Sequence, residues 1–186
     1  MPIPISLLGP PLGVVVGWLL ATVTRHFEEV WFGAKLTIDC QHAPGNRDET
    51  ADSVYIKFRV QNTTKRRVAK NCRAYLVGLH RISNGRVVSE NLISNTFQLP
   101  WAGYDFEARD IPAKVSQYVN LVRFSKHASD WEFLTKPGFY ASLAPLAKHR
   151  GTYRFTTVVA GDGATPKTRQ IHVEYNGDWK SAMPFD

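Results

Sequence analysis

The first 24 residues, MPIPISLLGPPLGVVVGWLLATVT, contain no Asp, Glu, Lys, Arg or His. The 20 residues from Ile5 to Thr24, wound as a helix at about 1.5 Å per residue, would cross the roughly 30 Å hydrocarbon core of a bilayer. Residues 1–24 are therefore expected to be a single transmembrane anchor. All 23 Lys and Arg and all 16 Asp and Glu lie beyond it, so the net charge of +7 belongs entirely to the remaining chain. A basic domain tied to a bilayer is drawn to anionic headgroups, and the same charge also serves solubility.

The anchor has internal structure. Pro10 and Pro11 each remove a backbone donor and crowd the preceding turn, which predicts a kink or a helix start there. Gly9, Gly13 and Gly17 recur every four residues and share a face, where small residues let two helix backbones approach closely. They predict association through the anchor, with the general abundance of glycine in membrane helices as the plainer explanation. A cleaved signal peptide is the rival for the whole run. It calls for a positive n-region and an A-x-A cleavage site, and neither is present. Arg25 and Lys35 are the first cations after the run, and by the positive-inside rule they place the following domain in the cytoplasm.

Residues 25–33, RHFEEVWFG, interleave Phe27, Val30, Trp31 and Phe32 with charge, as expected of an interfacial linker ending at Gly33. From Ala34 the period changes to two. AKLTIDC alternates Leu36, Ile38 and Cys40 with polar residues, and SVYIKFRV sets Val54, Ile56, Phe58 and Val60 on one face. Between them, 41–52 reads as a polar loop. CRAYLVGLHRI, residues 72–82, is apolar on both faces, Asn84-Gly85 is a strong hairpin signal, and RVVSENLI should return alongside. The region 95–116 is irregular, 117–124 is a strand, and 125–148 is ambiguous apart from Trp131, Phe133 and Leu134 as core. GTYRFTTVVAG and TRQIHVEY close the pattern, joined by a rather long GDGATPK loop and followed by a polar tail over 181–186. A hydrophobic share of 44% supports a packed core. Six to eight closely spaced strands without a strong helix after residue 33 predict a mainly β chain, an antiparallel β-sandwich over 34–180 preceded by one N-terminal transmembrane helix.

Two fragments sharpen that expectation. Val60-Gln-Asn62, followed after a basic loop by Ala69-Lys-Asn-Cys-Arg-Ala-Tyr-Leu76, and Gly151-Thr-Tyr153-Arg-Phe155 resemble bacterial immunoglobulin-like domains of the fibronectin type III or adhesion-repeat kind. In these an Asn ends one strand, and a corner tyrosine, here Tyr153, opens a late strand. The resemblance implies an immunoglobulin-like sandwich. Anchor, single sandwich and basic linker together also resemble small single-pass bacterial membrane proteins, which implies the inner membrane as location and no particular activity.

No nucleophile elbow, P-loop, dinucleotide fingerprint, H-E-x-x-H or C-x-x-C is present, so neither catalytic residues nor a cofactor nor a metal site is expected. Cys40 and Cys72 are too few for a disulfide framework; they are expected as free thiols, with one bridge open to them if the domain is exported. His80 and His172 fall in expected strands and would converge, with Glu174 nearby, if those strands were neighbours. Asp39, Asp48, Glu49 and Asp52 could gather around a cation, although turn solubility explains them as well. The most informative polar segment holds Lys65, Arg66, Arg67, Lys70 and Arg73 on or beside the loop joining two strands. Plain solvated charge is its simplest reading; beyond that it suits anionic lipid or an acidic protein and, less well, nucleic acid, for which Tyr55 and Tyr75 make too short a stacking series. The expected function is a non-enzymatic membrane-anchored interaction or assembly module, its partners the lipid bilayer and a protein or a second copy. The alternative is a tethered sensor or effector binding a phosphate-rich ligand through the basic loop.

Overall fold

The structure is a computed structural model and describes residues 14–15, 17–24, 33–40, 46–103, 105–127, 131–134 and 150–185. The chain divides into two units between Gly33 and Ala34. In the first, residues 14–15 and 17–24 are helical, and Val14, Val15, Trp18, Leu19, Leu20 and Val23 are all exposed. Gly17 has open space where a side chain would project. No helix among the described residues is long and apolar enough to cross a membrane. Pro10, Pro11, Gly9, Gly13 and the linker residues 25–32 lie outside the described residues.

The second unit is mainly β. Its strands are β1 (Leu36–Asp39), β2 (Arg47–Glu49), β3 (Ser53–Asn62), β4 (Ala69–Ser83), β5 (Arg86–Val87), β6 (Phe97–Leu99), β7 (Arg109–Ile111), β8 (Ser116–Ser125), β9 (Trp131–Phe133), β10 (Gly151–Asp162), β11 (Ala164–Tyr175) and β12 (Met183–Phe185), with a 3-10 turn at Trp179–Ser181. They form two antiparallel sheets. One runs β1-β3-β8-β9 with β2 beside β3; the other runs β12-β11-β10-β4-β5 with β6 and β7 also beside β4.

Period-two patterning decides which faces meet. Val54, Ile56, Phe58 and Val60 of β3 are fully buried and share one core with Cys72, Ala74, Leu76 and Leu79 of β4, Tyr153 and Phe155 of β10, and Ile171 and Val173 of β11. Each large buried apolar side chain contributes about 1.5–3 kcal/mol, so this shared face is the main source of stability. Phe133 and Leu134 are buried as expected. The chain crosses between sheets at LPW: after β6, the Pro100 carbonyl accepts from Asn120 N–H, and Trp101, fully buried, bridges Val119 of β8.

Several local expectations change. The return strand after Asn84-Gly85 pairs only at Arg86 and Val87. Beyond it, side chains and backbone share the pairing: Ser89 Oγ accepts from Arg81 N–H and Asn91 Oδ1 from Leu79 N–H, both at 2.9 Å, while the Arg81 and Leu79 carbonyls accept from Val88 N–H and Leu92 N–H. The polar loop 41–52 contains β2, whose residues carry no apolar alternation because the strand only covers an edge of β3. The supposedly polar tail pairs with β11 through Met183–Phe185.

The GDGATPK loop is instead a tight reversal at Gly163, which has φ +65°. β11 begins immediately after it because the register shifts at Gly161. There the backbone approaches β4 so closely that a side chain on Gly161 would begin 2.7 Å from Cys72 Sγ and 2.8 Å from the Lys70 carbonyl oxygen. The two glycines are required for different reasons, one steric and one torsional. Gly161→Ala should therefore cost about 1–3 kcal/mol in urea unfolding, while Gly163→Asn, which keeps access to positive φ, should cost under about 1 kcal/mol.

Candidate functional site

The loop carrying the basic cluster is built on one buried amide. Asn62, the last residue of β3, is fully buried. Its Nδ2 donates to the carbonyls of Arg67 (2.6 Å) and Ile111 (2.9 Å), and its Oδ1 accepts from Thr64 N–H (3.2 Å) and Thr64 Oγ1 (2.7 Å). Both donors and both lone-pair directions of the amide are used, so the side chain sits in the core without a desolvation deficit. The same residue's backbone carbonyl accepts from Lys114 N–H, and its N–H donates to the Val115 carbonyl. One residue thus ties the 63–68 loop to β7 and to the turn before β8.

Folded onto this clamp, Lys65, Arg66 and Arg67 are exposed on the loop, and Lys70 and Arg73 are exposed at the start of β4. Among the described residues none of the five forms an ion pair. They are not equivalent, however. Asn71 sits in the left-handed region (φ 51°) at a bulge in β4, its N–H donating to Asp110 Oδ1 at 2.9 Å and its Nδ2 to Asp162 Oδ2 at 2.6 Å. Lys70 is in register with Asp162. Arg73 lines a cleft of about 540 Å³ with Tyr75, Asn71, Gly161 and Asp162. The β4 pair therefore has carboxylates nearby, whereas the loop triplet has none in its own segment: no Asp or Glu occurs from Ser53 to Ser89.

Two further cations belong to this end of the domain. Thr63 N–H and Oγ1 both donate to the Lys35 carbonyl, at 2.8 and 3.1 Å, and Lys114 sits at φ 63° in the turn held by Asn62. Lys35 and Lys114 are both exposed. Neither is near the cluster in sequence, and only strand pairing brings them to it. Val68 and Val115, 42% and 39% exposed, lie among these charges.

Other candidate groups do not assemble. Asp39 pairs with Arg59 (2.8 Å), Asp48 with Lys57 (2.6 Å), Glu49 with Arg47 (2.9 Å), and Asp52 lies 3.4 Å from His127. These carboxylates face separate cations instead of a common center. His80 on β4 and His172 on β11 are not on neighbouring strands: β10 runs between them and sets Arg154 opposite both. Burial, reinforced by Arg154, lowers the His80 pKa, and the His172 ring lies 5.4 Å from that of Phe185. Glu174 is in register with Thr152, one row away. No group of three or more metal-ligating side chains is found among the described residues.

At the other end of β4 a groove of about 1080 Å³ is lined by Arg81, Val88, Leu92, Tyr153, His172 and Phe185 among others. Arg81 donates to the Arg150 carbonyl at 3.1 Å. Burial raises the Tyr153 phenol pKa against the opposing pull of Arg81.

Both cysteines are free and buried. Cys72 has its pKa raised from 9.0 to about 11, first by burial and then by Asp110 and Asp162. Because the folded state holds this proton more tightly than the unfolded chain, the associated stability is complete below pH 9 and is lost as pH rises toward 11. Cys72→Ala should flatten that alkaline decline by up to about 2 kcal/mol in unfolding experiments across this range. Asn62→Ala strands two carbonyls and removes the loop's clamp, and should lower stability by about 2–4 kcal/mol in urea unfolding. The chain matches no family model, no curated protein and no solved structure.

Proposed function

We propose that the chain is a non-enzymatic, single-pass membrane protein in which an immunoglobulin-like β-sandwich serves as an interaction or assembly module. The observation that carries this reading is the uncharged N-terminal run, whose helical residues expose Val14, Val15, Trp18, Leu19, Leu20 and Val23 together. A cluster of large apolar side chains turned outward calls for lipid or another apolar surface. The sheet orders β1-β3-β8 and β11-β10-β4 support the immunoglobulin-like assignment, since they follow the A-B-E and G-F-C orders of such sandwiches. Tyr153, buried near the start of β10, occupies the place of a corner tyrosine.

The proposed location is the bacterial inner membrane with the domain in the cytoplasm. Arg25 and Lys35 support that orientation, and two free buried thiols suit a reducing compartment. Gly9, Gly13 and Gly17 are proposed as the association face of the anchor. A second reading, a tethered effector for a phosphate-rich ligand, is favoured by one specific observation: Lys65, Arg66 and Arg67 are exposed without ion-pair partners among the described residues.

Carbonate extraction of membranes containing the full chain tests the anchor. The chain should remain in the membrane pellet, and Val15→Lys with Leu19→Lys should release it, because each charge near the middle of a span costs roughly 2.5–3.5 kcal/mol on insertion scales. Release of the unmodified chain would end the proposal. Crosslinking in membranes should give a dimer that Gly13→Leu with Gly17→Leu abolishes; a silent result would leave the anchor as a tether alone.

A further inference from the structure

We infer that the end of the domain carrying the basic loop is a docking surface for anionic lipid headgroups, and that it comprises Lys35, Lys65, Arg66, Arg67, Lys70 and Lys114 with Val68 and Val115 among them. This deepens the proposed function and rests on its membrane anchor.

The first support is where the chain enters the fold. Ala34 begins the domain, its N–H donating to the Gly163 carbonyl at 2.9 Å, and the next residue, Lys35, accepts both hydrogen bonds from Thr63 at the base of the basic loop. The first residues of the domain therefore lie at the same end that bears the cluster. Nine residues, the length of 25–33, reach at most about 32 Å when fully extended. β4 alone spans about 45 Å from Lys70 to Ser83, which carries the Asn84-Gly85 turn and the large groove to the opposite end.

The second support is charge. The six cations named above are exposed, and the carboxylates of Asp110 and Asp162 beside Lys70 both accept hydrogen bonds from Asn71. Attraction between a polybasic surface and an anionic leaflet acts only within about one Debye length, roughly 10 Å at moderate salt. Attachment at this end makes encounters of these residues with the leaflet more frequent than those of the opposite end, whereas a free nucleic acid or acidic protein gains nothing from it. The third support is the pair of exposed valines. Set between Lys and Arg side chains, they offer small apolar contacts at headgroup depth without making the surface insoluble. Finally, the Asn62 clamp fixes the loop before any lipid is met, which reduces the ordering cost of docking.

The test uses the full chain reconstituted in vesicles, with a donor dye at Val115→Cys or, at the opposite end, at Ser83→Cys, and an acceptor on the lipid headgroup. Cys40 and Cys72 are buried and leave the introduced thiol as the reactive one. Replacing neutral phosphatidylcholine by vesicles containing phosphatidylserine should raise energy transfer from position 115 severalfold more than from position 83. High salt should reverse the gain, as should K65Q, R66Q, R67Q and K114Q combined. Flotation with neutral vesicles reports the anchor separately: failure to float removes the anchor, and anionic-lipid-dependent binding of that same chain would still support the docking surface. Flotation with both vesicle types but equal transfer in both overturns the docking surface while leaving the anchor. Equal gains at positions 115 and 83 overturn it as well. An oligonucleotide that binds the chain at least about tenfold more tightly than the anionic vesicles, and loses that affinity in the four-fold variant, reassigns the surface to nucleic acid.

Discussion

The side chain of Asn62 is the interaction on which the useful geometry of this domain depends. A buried primary amide is tolerable only when its hydrogen-bonding capacity is met, and here four bonds reach two separate segments: the loop at Thr64 and Arg67, and β7 at Ile111. Because those partners are mostly backbone groups, the amide fixes chain path and not merely side-chain position. Three consecutive cations, which repel one another, are thereby displayed from a defined support. The adjoining bonds to Val115 and from Lys114 extend the same support to the turn before β8.

The two long strands β4 and β10 give the domain its polarity. They pair along most of their length, from Ile82 opposite Thr152 to Lys70 opposite Asp162, and so separate one end rich in exposed cations from another with a groove of about 1080 Å³. The close approach of Gly161 to Cys72 and the Lys70 carbonyl locks the basic end, and the raised pKa of Cys72 reflects the same tight packing beside Asp110 and Asp162. Under the proposed anchoring, one end suited to a charged surface would leave the other available to a partner. That division of labour is the physical content of the proposed assembly role.

Much of the fold was legible in the sequence because its longest strands carry their own pattern. Val54 to Val60 alternate cleanly, and so does the stretch that became β10, while Asn84 and Gly85 both take positive φ, 49° and 73°, as their turn requires. The short strands were not legible. β2, β6, β7, β9 and β12 are three residues each, too short for a period to register, and they exist because a neighbouring long strand offers an edge. The five clustered cations could be seen as a group along the chain. Lys35 and Lys114 could not, since their adjacency arises through Thr63 and Asn62. The histidines show the converse: His80 and His172 do lie in strands, but the intervening β10 and its Arg154 follow only from strand order.

Native-state hydrogen exchange of the full chain tests the central claim, that a buried amide holds the basic loop in place. The amide protons of Thr64 and Lys114, bonded to Asn62 Oδ1 and to the Asn62 carbonyl, together with that of Thr63, bonded to the Lys35 carbonyl, should exchange far more slowly than those of the Asn84-Gly85 turn. Asn62→Ala should bring the Thr64 proton to the turn's rate while the β10–β11 ladder stays protected. Exchange of Thr63, Thr64 and Lys114 at turn-like rates in the unmodified chain would contradict the account.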